Sequence, residues 1–471
     1  MEAESTPLQG LTADISTGIK TNLKDAYVFE LPSGEIPVDD ELLRPVLDGA
    51  DIHRYSSIDI QKFIAYPYVS ASDETIRPIE LDDCPITKEH FSAYEKRLRE
   101  RLFYEKTVEE MGKEWFEFPY TSENLLAPKV LFPDISTEPR ATFDSTGDVL
   151  VLNTAYGAVF SDSVEIDVRF VCALFNSSVL RFTFTTLSPK LSGGYYRFQT
   201  QYVGQLPIVD IIGADNGSAD ELKQAYRNRV ADEPDRLVES PLSDYPELGD
   251  RNQQTHDLLV FLADEIVGFG ERRSGINLNL PDYLGSYKDG PTLGDLYQPP
   301  AGLTDSILTA TTEDRENLKI ESATITDDGS KLVLRATARY KPENPDEYET
   351  DQYGYTETDS LPAMEFVGLT EREHALVEAF VPYAVEEVSG FANFRENATK
   401  TNSLIDRLEA LTLPALDDVA DGLERYRETK ARAEELDEKI GKTDELIDQI
   451  VYELYGLTDE EIEIVEEAVG D

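Results

Sequence analysis

Apolar and polar residues in the first 212 positions follow two periods. Short β-rich stretches at 26–31, 63–69 and 149–152 are punctuated by Pro and Gly, which favours strands joined by turns. Residues 87–113 have helical spacing instead, and their apolar residues can share one face: Phe91, Tyr94, Leu98, Leu102 and Phe103. We therefore expect an α+β domain with a mixed sheet over residues 1–212.

The middle of the chain has a weaker pattern. Residues 213–305 are polar and rich in Gly, Pro, Asn and Asp, apart from a helical stretch at 255–267, so we predict a loop-rich connector. Residues 306–400 contain a hairpin pattern at 318–340 with a turn at 327–329, an acidic insertion at 341–359 that we expect to be mobile, and a helical stretch at 371–387. This pattern predicts a small α/β segment.

The last part, residues 401–471, is predicted to be a charged helical region. Residues 402–449 contain two long charged helical segments broken at Leu413-Pro414, and residues 443–455 carry apolar residues at helical spacing. Gly456 is expected to end that helix, and Thr458 with Glu461 has the spacing of a capping box for one more. Charged helices of this kind usually pack together or pair with another chain.

The charge of the chain indicates the salt concentration in which the protein folds more than it indicates the fold. The net charge is -51 with a pI near 4.3, which disfavours a compact state in ordinary buffer. Hydrophobic residues are 40% and aromatic residues 10% of the chain, so the composition of a disordered protein is absent. We therefore predict a folded protein adapted to molar salt, where repulsion between carboxylates is screened over roughly 3 Å.

Cysteine and hydropathy patterns exclude further classes. Cys84 and Cys172 have no His or Cys at metal-ligand spacing, so neither a disulfide framework nor a zinc site is expected. No apolar run reaches the roughly 18 residues that span a bilayer, and residues 1–30 lack the features of a signal peptide. The expectation is a cytoplasmic protein with no membrane partner.

One window of the sequence is free of acid. Residues 168–209 contain no Asp or Glu, whereas an even distribution of the 94 acidic residues would put about eight there. Residues 168–184 have the spacing of one buried helix, which explains their lack of acid. Burial does not explain the polar stretch at 185–205, and a surface without carboxylates in so acidic a chain is suited to an anion.

The side chains in this stretch are typical of DNA recognition. Lys and Arg can hold phosphates, Arg and Gln can make paired hydrogen bonds to guanine or adenine, and Gly193-Gly194 permits close approach of the backbone. The alternative is a tight turn between core elements with Tyr195 and Tyr196 packed inside. The stretch alone favours neither.

Catalytic motifs are missing. An adenine methyltransferase needs a glycine-rich cofactor turn and an Asn/Asp-Pro-Pro-aromatic run, and the nearest matches, Gly268-Phe-Gly270 and Gln298-Pro-Pro-Ala301, lack essential residues. Carboxylate clusters such as Asp437-Glu-Lys439 arise by chance in an acidic chain, and the four histidines form no metal pair. We predict no catalytic, metal or cofactor-binding residues.

Several blocks, in order, resemble the TaqI-like C-terminal specificity domain of type IIG restriction-modification enzymes and adenine-specific DNA methyltransferases. The blocks are Gly18-Ile-Lys-Thr-Asn-Leu-Lys-Asp-Ala-Tyr-Val28, Leu42-Leu-Arg-Pro-Val-Leu-Asp-Gly-Ala-Asp-Ile-His-Arg-Tyr55, Trp115-Phe, Pro128-Lys-Val-Leu-Phe-Pro133, Leu174-Phe-Asn-Ser177, Gly193-Gly-Tyr-Tyr-Arg-Phe198 and Gln205-Leu-Pro-Ile208. The stretch Val451-Tyr-Glu-Leu-Tyr-Gly-Leu-Thr-Asp-Glu-Glu461 is similar to the usual end of such chains. One block departs from the pattern, because Asp48-Gly-Ala-Asp-Ile52 stands where the family commonly has Arg-Gly-Arg-Asp-Ile.

The resemblance implies a target-recognition domain over residues 1–212 that grips double-stranded DNA and reads a short site. Only about fourteen residues precede the matching region, so the methyltransferase domain, with its S-adenosylmethionine, is expected in another domain or chain. That methyltransferase or restriction subunit is expected to dock on the helical C-terminal region. Candidate DNA contacts are Lys20, Thr21, Arg54, Tyr55, Lys190, Ser192, Gly193, Gly194, Tyr195, Tyr196, Arg197 and Gln199.

Two other hypotheses stay open. The first is that the chain is a helical interaction or scaffold protein, or an inactive remnant, and has lost DNA recognition. The second is that the chain is a complete enzyme. A complete enzyme is the weakest reading, because the methyltransferase motifs are missing.

Overall fold

The computed structural model describes residues 5–30, 36–70 without 57 and 59, 75–211, 219–232, 253–296, 316–386 without 328, 330, 343, 345 and 346, and 404–470. The chain forms two compact units. Unit 1 consists of residues 1–275 with 435–471, and unit 2 consists of residues 276–434.

The first sheet of unit 1 carries the elements that position the acid-free stretch. Its strand order is β12 (Thr142–Asp144), β10 (Lys129–Pro133), β14 (Ala155–Phe160) and β2 (Thr12–Thr17), and every pair is antiparallel. The central strand β10 is buried along its whole length. The two-stranded pair β11 (Ile135–Ser136) with β15 (Tyr196–Arg197) begins two residues after β10 ends.

A second sheet has the order β13 (Leu150–Val151), β4 (Leu43–Leu47), β5 (Lys62–Ala65) and β3 (Val28–Glu30). Its core includes Tyr27, Ile64, Tyr66, Phe91 and Phe118. Smaller strands and short helices complete this part: β1 (Ser5–Pro7), β6 (Tyr68–Ser70), β7 (Ile76–Pro78), β8 (Leu102–Phe103), β9 (Lys106–Thr107), β16 (Pro207–Val209), α1 (Leu8–Leu11), α2 (Lys24–Tyr27) and α6 (Thr200–Val203).

The helix expected over 87–113 is shorter than predicted. Helix α3 is Pro85–Arg99, and it buries Phe91 and Leu98 as the spacing indicated. Leu102 and Phe103 instead form strand β8, which pairs with β9 in a hairpin. The helix ends because the side chain of Arg101, 5% exposed, is drawn into the core by backbone carbonyls that are remote in sequence.

The helix expected over 168–184 is broken in two. Helix α4 (Val168–Asn176) and helix α5 (Ser178–Leu187) meet at 71°. Ser177 takes an extended conformation, and its Oγ accepts the Leu180 N–H at the start of α5, which explains the break. No single described helix is long and apolar enough to cross a membrane; the bent pair reaches that length and composition, but most of its residues are buried in unit 1.

Within residues 213–305 the described part is more helical than a loop-rich connector. It contains α7 (Asp220–Asp232), α8 (Gln253–Ser274), α9 (Leu280–Leu284), β17 (Asp289–Thr292) and α10 (Leu293–Leu296). Helix α8 packs on α4, and its residues Leu258, Leu259, Leu262 and Ile266 lie at helical spacing and are buried. The helix predicted at 255–267 is thus confirmed and longer than expected.

Unit 2 is built on a long antiparallel pair, β18 (Glu316–Asp327) with β19 (Leu332–Lys341). Strands β20 (Thr356–Glu357) and β21 (Leu361–Phe366) also pair with β19. Helix α11 (Glu371–Glu386) packs against β18 over a core that includes Leu334, Met364, Leu376 and Phe380. The predicted hairpin and helix are therefore confirmed, while residue 328 of the expected turn lies outside the described residues.

The C-terminal region contains α12 (Leu404–Glu409), β22 (Thr412–Pro414), α13 (Leu416–Tyr455) and α14 (Asp459–Val469). The break at Leu413-Pro414 and the capping box of Thr458 and Glu461 are as predicted. Residues of α13 up to Glu434 belong to unit 2, and the remainder belong to unit 1.

The α+β fold class is confirmed. The division at 212, 305 and 400 stays a prediction.

Candidate nucleic-acid interface

Residues 188–199, named here the candidate DNA loop, leave α5 and return to the first sheet. The Ser188 Oγ donates to the Arg197 carbonyl over 3.2 Å, and the Leu191 N–H donates to the Tyr195 carbonyl over 2.6 Å. Between them Gly193 and Gly194 have φ values of 80° and 83°, in the left-handed region that favours glycine. These contacts give the loop a defined shape with a sharp tip.

The second half of the loop is fixed by pairing and by one buried ring. Tyr196 and Arg197 form strand β15 opposite Ser136 and Ile135. The next residue, Phe198, is fully buried and stacks on Phe184 with ring centroids 4.2 Å apart. Because side chains alternate along a strand, the buried Phe198 leaves the neighbouring Arg197 on the outside.

The tip of the loop presents bases and an aromatic ring to solvent. Lys190, Ser192, Gly193 and Arg197 are exposed, and Tyr195 is 45% exposed. Tyr196 is half-buried beneath the Lys190 Nζ, which lies 5.7 Å from its ring centroid. The turn expected in the alternative interpretation is therefore present, but Tyr195 does not pack inside it.

The electrostatics of the loop are mixed. Lys190 has no carboxylate partner among the described residues, whereas the Arg197 Nε lies 3.4 Å from Asp134 Oδ1. The charges of Asp134 and Arg197 both act on Tyr156, which lies on the adjacent strand β14. Burial and then Asp134 raise the pKa of Tyr156, while Arg197 lowers it. Arg197, Asp134 and Tyr156 thus occupy one neighbourhood at the end of β10.

The end of strand β2 lies beside the loop. The Thr200 Oγ1, just after Gln199, donates to the Ile15 carbonyl on β2 over 3.0 Å. Gly18 follows β2, and a Cβ there would meet the Val151 carbonyl oxygen at 2.1 Å, so only glycine allows this close approach. Lys20 then emerges exposed, without a carboxylate partner in the described part of the chain, while Thr21 is buried.

Arg54 and Tyr55 have interior positions. The Arg54 Nη2 donates to the Asn176 carbonyl over 2.7 Å and to Asp444 Oδ1 over 2.9 Å, and the Tyr55 hydroxyl donates to the Ala173 carbonyl over 3.3 Å. Tyr55 is 4% exposed, and burial raises its pKa. Arg54 thus joins helix α13 to α4, Tyr55 is bonded to α4, and the contact of both residues with DNA stays a prediction.

The block that departs from the family pattern forms an internal ion-pair cluster. The Lys62 Nζ lies 2.9 Å from Asp48 and 2.8 Å from Asp51. Both carboxylates point at this lysine. Burial alone would raise the pKa of Asp48, but the hydrogen bond and the charge of Lys62 oppose it, and with smaller contributions from Ala50 and Lys24 the pKa is lowered. This loop therefore offers negative charge where the family commonly has two arginines.

Sequence reasoning missed two residues near Lys20. Buried Arg101 donates to the carbonyls of Leu98, Thr21, Trp115 and Glu117 over 2.9–3.1 Å. Tyr104, at the tip of the β8–β9 hairpin, is 84% exposed and lies under the Lys20 Nζ at 5.8 Å from its ring centroid. The helical spacing of 87–113 hid both, because it placed them on a continuous helix.

The described residues contain no group of three or more His, Cys, Asp or Glu side chains that could hold a metal ion. Cys84 and Cys172 are buried free thiols. The side chains gathered around the candidate DNA loop are suited to binding by charge, hydrogen bonds and stacking.

Comparison with known proteins finds a family model that matches one part of the chain. Residues 44–208 match the TaqI-like C-terminal specificity domain. This match confirms the resemblance drawn from the ordered sequence blocks.

Individual relatives are type II methyltransferases. M.BstVI of Geobacillus stearothermophilus is 25% identical over 213 residues, covering 44% of this chain and 35% of the relative. M.BanIII of Aneurinibacillus aneurinilyticus is 25% identical over 205 residues, covering 41% and 34%. The matched region thus spans about a third of the length of these relatives.

Two solved structures share a weaker likeness. The type IIL restriction-modification enzyme MmeI in complex with DNA is 12% identical with a TM-score of 0.33, covering 57% of this chain and 34% of its own. The type I restriction-modification system S subunit from M. genitalium is 11% identical with a TM-score of 0.36, covering 96% and 95%.

Proposed function

We propose that this chain recognises a short sequence in double-stranded DNA as the specificity part of a restriction-modification system. Catalysis by a site-specific adenine methyltransferase, with its S-adenosylmethionine, is assigned to another domain or chain. A methyltransferase or restriction subunit would dock on the helical region 401–471. A cytoplasmic location and adaptation to high salt belong to the same proposal.

The observation that carries the proposal is the exposed candidate DNA loop within the matched domain. Its tip combines Lys190, Tyr195 and Arg197 in a 42-residue window without a carboxylate. Lys190 is suited to a phosphate, Arg197 to the paired acceptors of guanine and Tyr195 to stacking. The two glycines let the backbone approach the duplex closely.

Salt shapes how such a protein binds. Binding through phosphate contacts weakens as salt rises, because the counterions released on binding gain less entropy when the surrounding solution is already concentrated. Base contacts and fit to the shape of the duplex therefore have to supply more of the affinity in molar salt. A recognition surface with few bases and several aromatic side chains is suited to that condition.

The test of this proposal changes Tyr196 and Arg197. The wild-type protein is expected to enrich a short motif from a random duplex library in molar KCl. Tyr196→Ala with Arg197→Ala is expected to abolish that preference, because the change removes the base-reading arginine, which contributes roughly 1–3 kcal/mol, together with the ring that lies beneath Lys190. Circular dichroism melting of each protein checks that the variant still folds.

The control changes an exposed tyrosine and arginine of unit 2, Tyr353→Ala with Arg372→Ala, and should leave the preference intact. Survival of the motif preference in the loop variant would show that the loop assignment is wrong. A wild-type protein that enriches no motif would favour the scaffold or remnant hypothesis. Methyl transfer from S-adenosylmethionine by the purified chain alone would contradict the assignment of catalysis elsewhere.

A further inference from the structure

The β8–β9 hairpin has an unusual turn. Its two central residues, Tyr104 and Glu105, have φ values of 48° and 69°, in the left-handed region. Two-residue hairpin turns with both φ values positive strongly prefer Asn-Gly or Asp-Gly, because other side chains are strained there. A tyrosine at this position is held in a disfavoured backbone conformation, and such strain is concentrated at functional sites.

The strained residue is also the most solvent-exposed of the large apolar side chains in the described part of the chain. Tyr104 is 84% exposed and the neighbouring Leu102 is 59% exposed. Burial therefore does not compensate for the strain, since neither side chain packs into unit 1. The hairpin holds an aromatic ring away from the body of the protein.

The base of the hairpin is firmly fixed. Phe103 is 3% exposed, and the guanidinium of Arg101 beside it is bonded to four backbone carbonyls. The Asn22 Nδ2 donates to the Leu102 carbonyl over 2.8 Å, which joins the hairpin to the segment that carries Lys20. Tyr104 is therefore presented on a rigid support.

The surroundings of Tyr104 suit a nucleic acid. The Lys20 Nζ lies 5.8 Å from the ring centroid and has no carboxylate partner among the described residues. Two acids at the base of the hairpin are engaged, since Glu109 pairs with Arg99 and Glu110 accepts the Thr107 N–H, while Glu105 at the tip is exposed. A free ammonium group beside an exposed ring can bind a phosphate while the ring stacks on the adjacent base.

The hairpin and the end of the candidate DNA loop contact one short segment of the chain, residues 15–22. The Ile15 carbonyl contacts Thr200, next to the loop, and Lys20 is only five residues further along the chain. Five residues span at most about 18 Å, which is less than the roughly 34 Å of one turn of DNA. The supports of the two features are therefore closer together than one turn of DNA is long, and we expect both features to contact the same bound duplex.

We propose that Tyr104 is a further DNA-contacting residue, which stacks against a base step at the margin of the recognised site while Lys20 holds the neighbouring phosphate. This inference rests on the proposed DNA-recognition function. Aromatic and apolar side chains inserted at a base step partly unstack it and bend the duplex.

The test uses the full-length protein and the duplex motif selected by the wild type, with 2-aminopurine placed at successive positions. Binding of the wild type is expected to raise the fluorescence of one position at the margin of the motif, because the probe brightens when unstacked. Tyr104→Ala should remove this rise and weaken binding about tenfold or more, while Tyr104→Phe should keep both. Tyr120→Ala, an exposed tyrosine of the same unit, is the control and should bind as the wild type does.

A second variant separates function from folding. Tyr104→Asn with Glu105→Gly gives the turn its preferred residues, so the melting temperature should rise while DNA affinity falls as in Tyr104→Ala. Wild-type affinity in the Tyr104→Ala protein, with motif preference intact, would overturn this inference and leave the proposed function standing. Absence of any motif preference in the wild type would overturn both.

Discussion

The clearest single-residue contribution to unit 1 is a buried ion pair. Lys129 opens β10 with its Nζ 3.0 Å from Asp144 Oδ2, and both side chains are nearly inaccessible to solvent. Asp144 also accepts the backbone N–H groups of Thr146, Gly147 and Val149. Burial opposes the charged form of Asp144, but Lys129 and these donors hold its pKa below the usual range.

We expect Lys129→Ala to lower the free energy of unfolding by about 3–5 kcal/mol at pH 7, because the Asp144 charge would stay buried without its partner. Urea denaturation followed by tryptophan fluorescence measures this loss. The control is Lys88→Ala, which removes an exposed ion pair with Asp82 and should change stability by less than about 1 kcal/mol. Equal losses in the two variants would contradict the role given to burial.

At the scale of elements, the last turns of α13 are fastened to α4 and α5 by carboxylates. Asp444 binds Arg54, and Asp448 accepts both the N–H and the hydroxyl of Ser178 over 2.7 and 2.6 Å. Burial, together with the nearby charge of Asp444, raises the pKa of Asp448 to about 6.

This pKa leads to a pH prediction. The folded protein holds the Asp448 proton more tightly than the unfolded chain, so unfolding free energy falls as pH rises from about 4 through about 6. Asp448→Asn should remove roughly 2–3 kcal/mol of that fall, measured by urea denaturation between pH 4 and 7. Asp437→Asn changes an exposed carboxylate on the same helix and should keep the wild-type slope; parallel curves for Asp448→Asn and wild type would refute the assignment.

At the scale of the whole molecule, charge is the dominant property. A net charge of -51 is distributed over 471 residues, and most of the described ion pairs are at the surface. Single surface pairs contribute little, since the median is about 0–1 kcal/mol. We therefore expect the compact state to depend on screening of the excess carboxylates by salt.

We predict that the melting temperature rises by roughly 5–10 °C between 0.1 and 2 M KCl, with most of the rise below 1 M, where the screening length shortens from about 10 to about 3 Å. Differential scanning calorimetry measures this shift. A variant with a dozen exposed Glu residues changed to Gln should show a smaller rise. A flat or falling profile in the wild type would argue against adaptation to high salt.

Local sequence patterns determined much of this protein. The capping box of Thr458 and Glu461, the β18–β19 hairpin and the sharp tip at Gly193-Gly194 each depend on residues a few positions apart. The ordered blocks were also sufficient to indicate the specificity domain. In each case the interaction that fixes the structure is between near neighbours in the chain, or the pattern is shared by a family.

Only the tertiary structure decided where the remaining candidate residues lie. Arg54 is interior because it pairs with Asp444. The two residues are 390 positions apart, and no local pattern reveals such a pair. The helix at 85–99 ends where Arg101 donates to carbonyls of two other segments, at Thr21 and at residues 115–117, and Tyr104 is exposed as a result. Periodicity indicates which face of an element is apolar. Whether another element covers that face depends on contacts between residues that are distant in sequence.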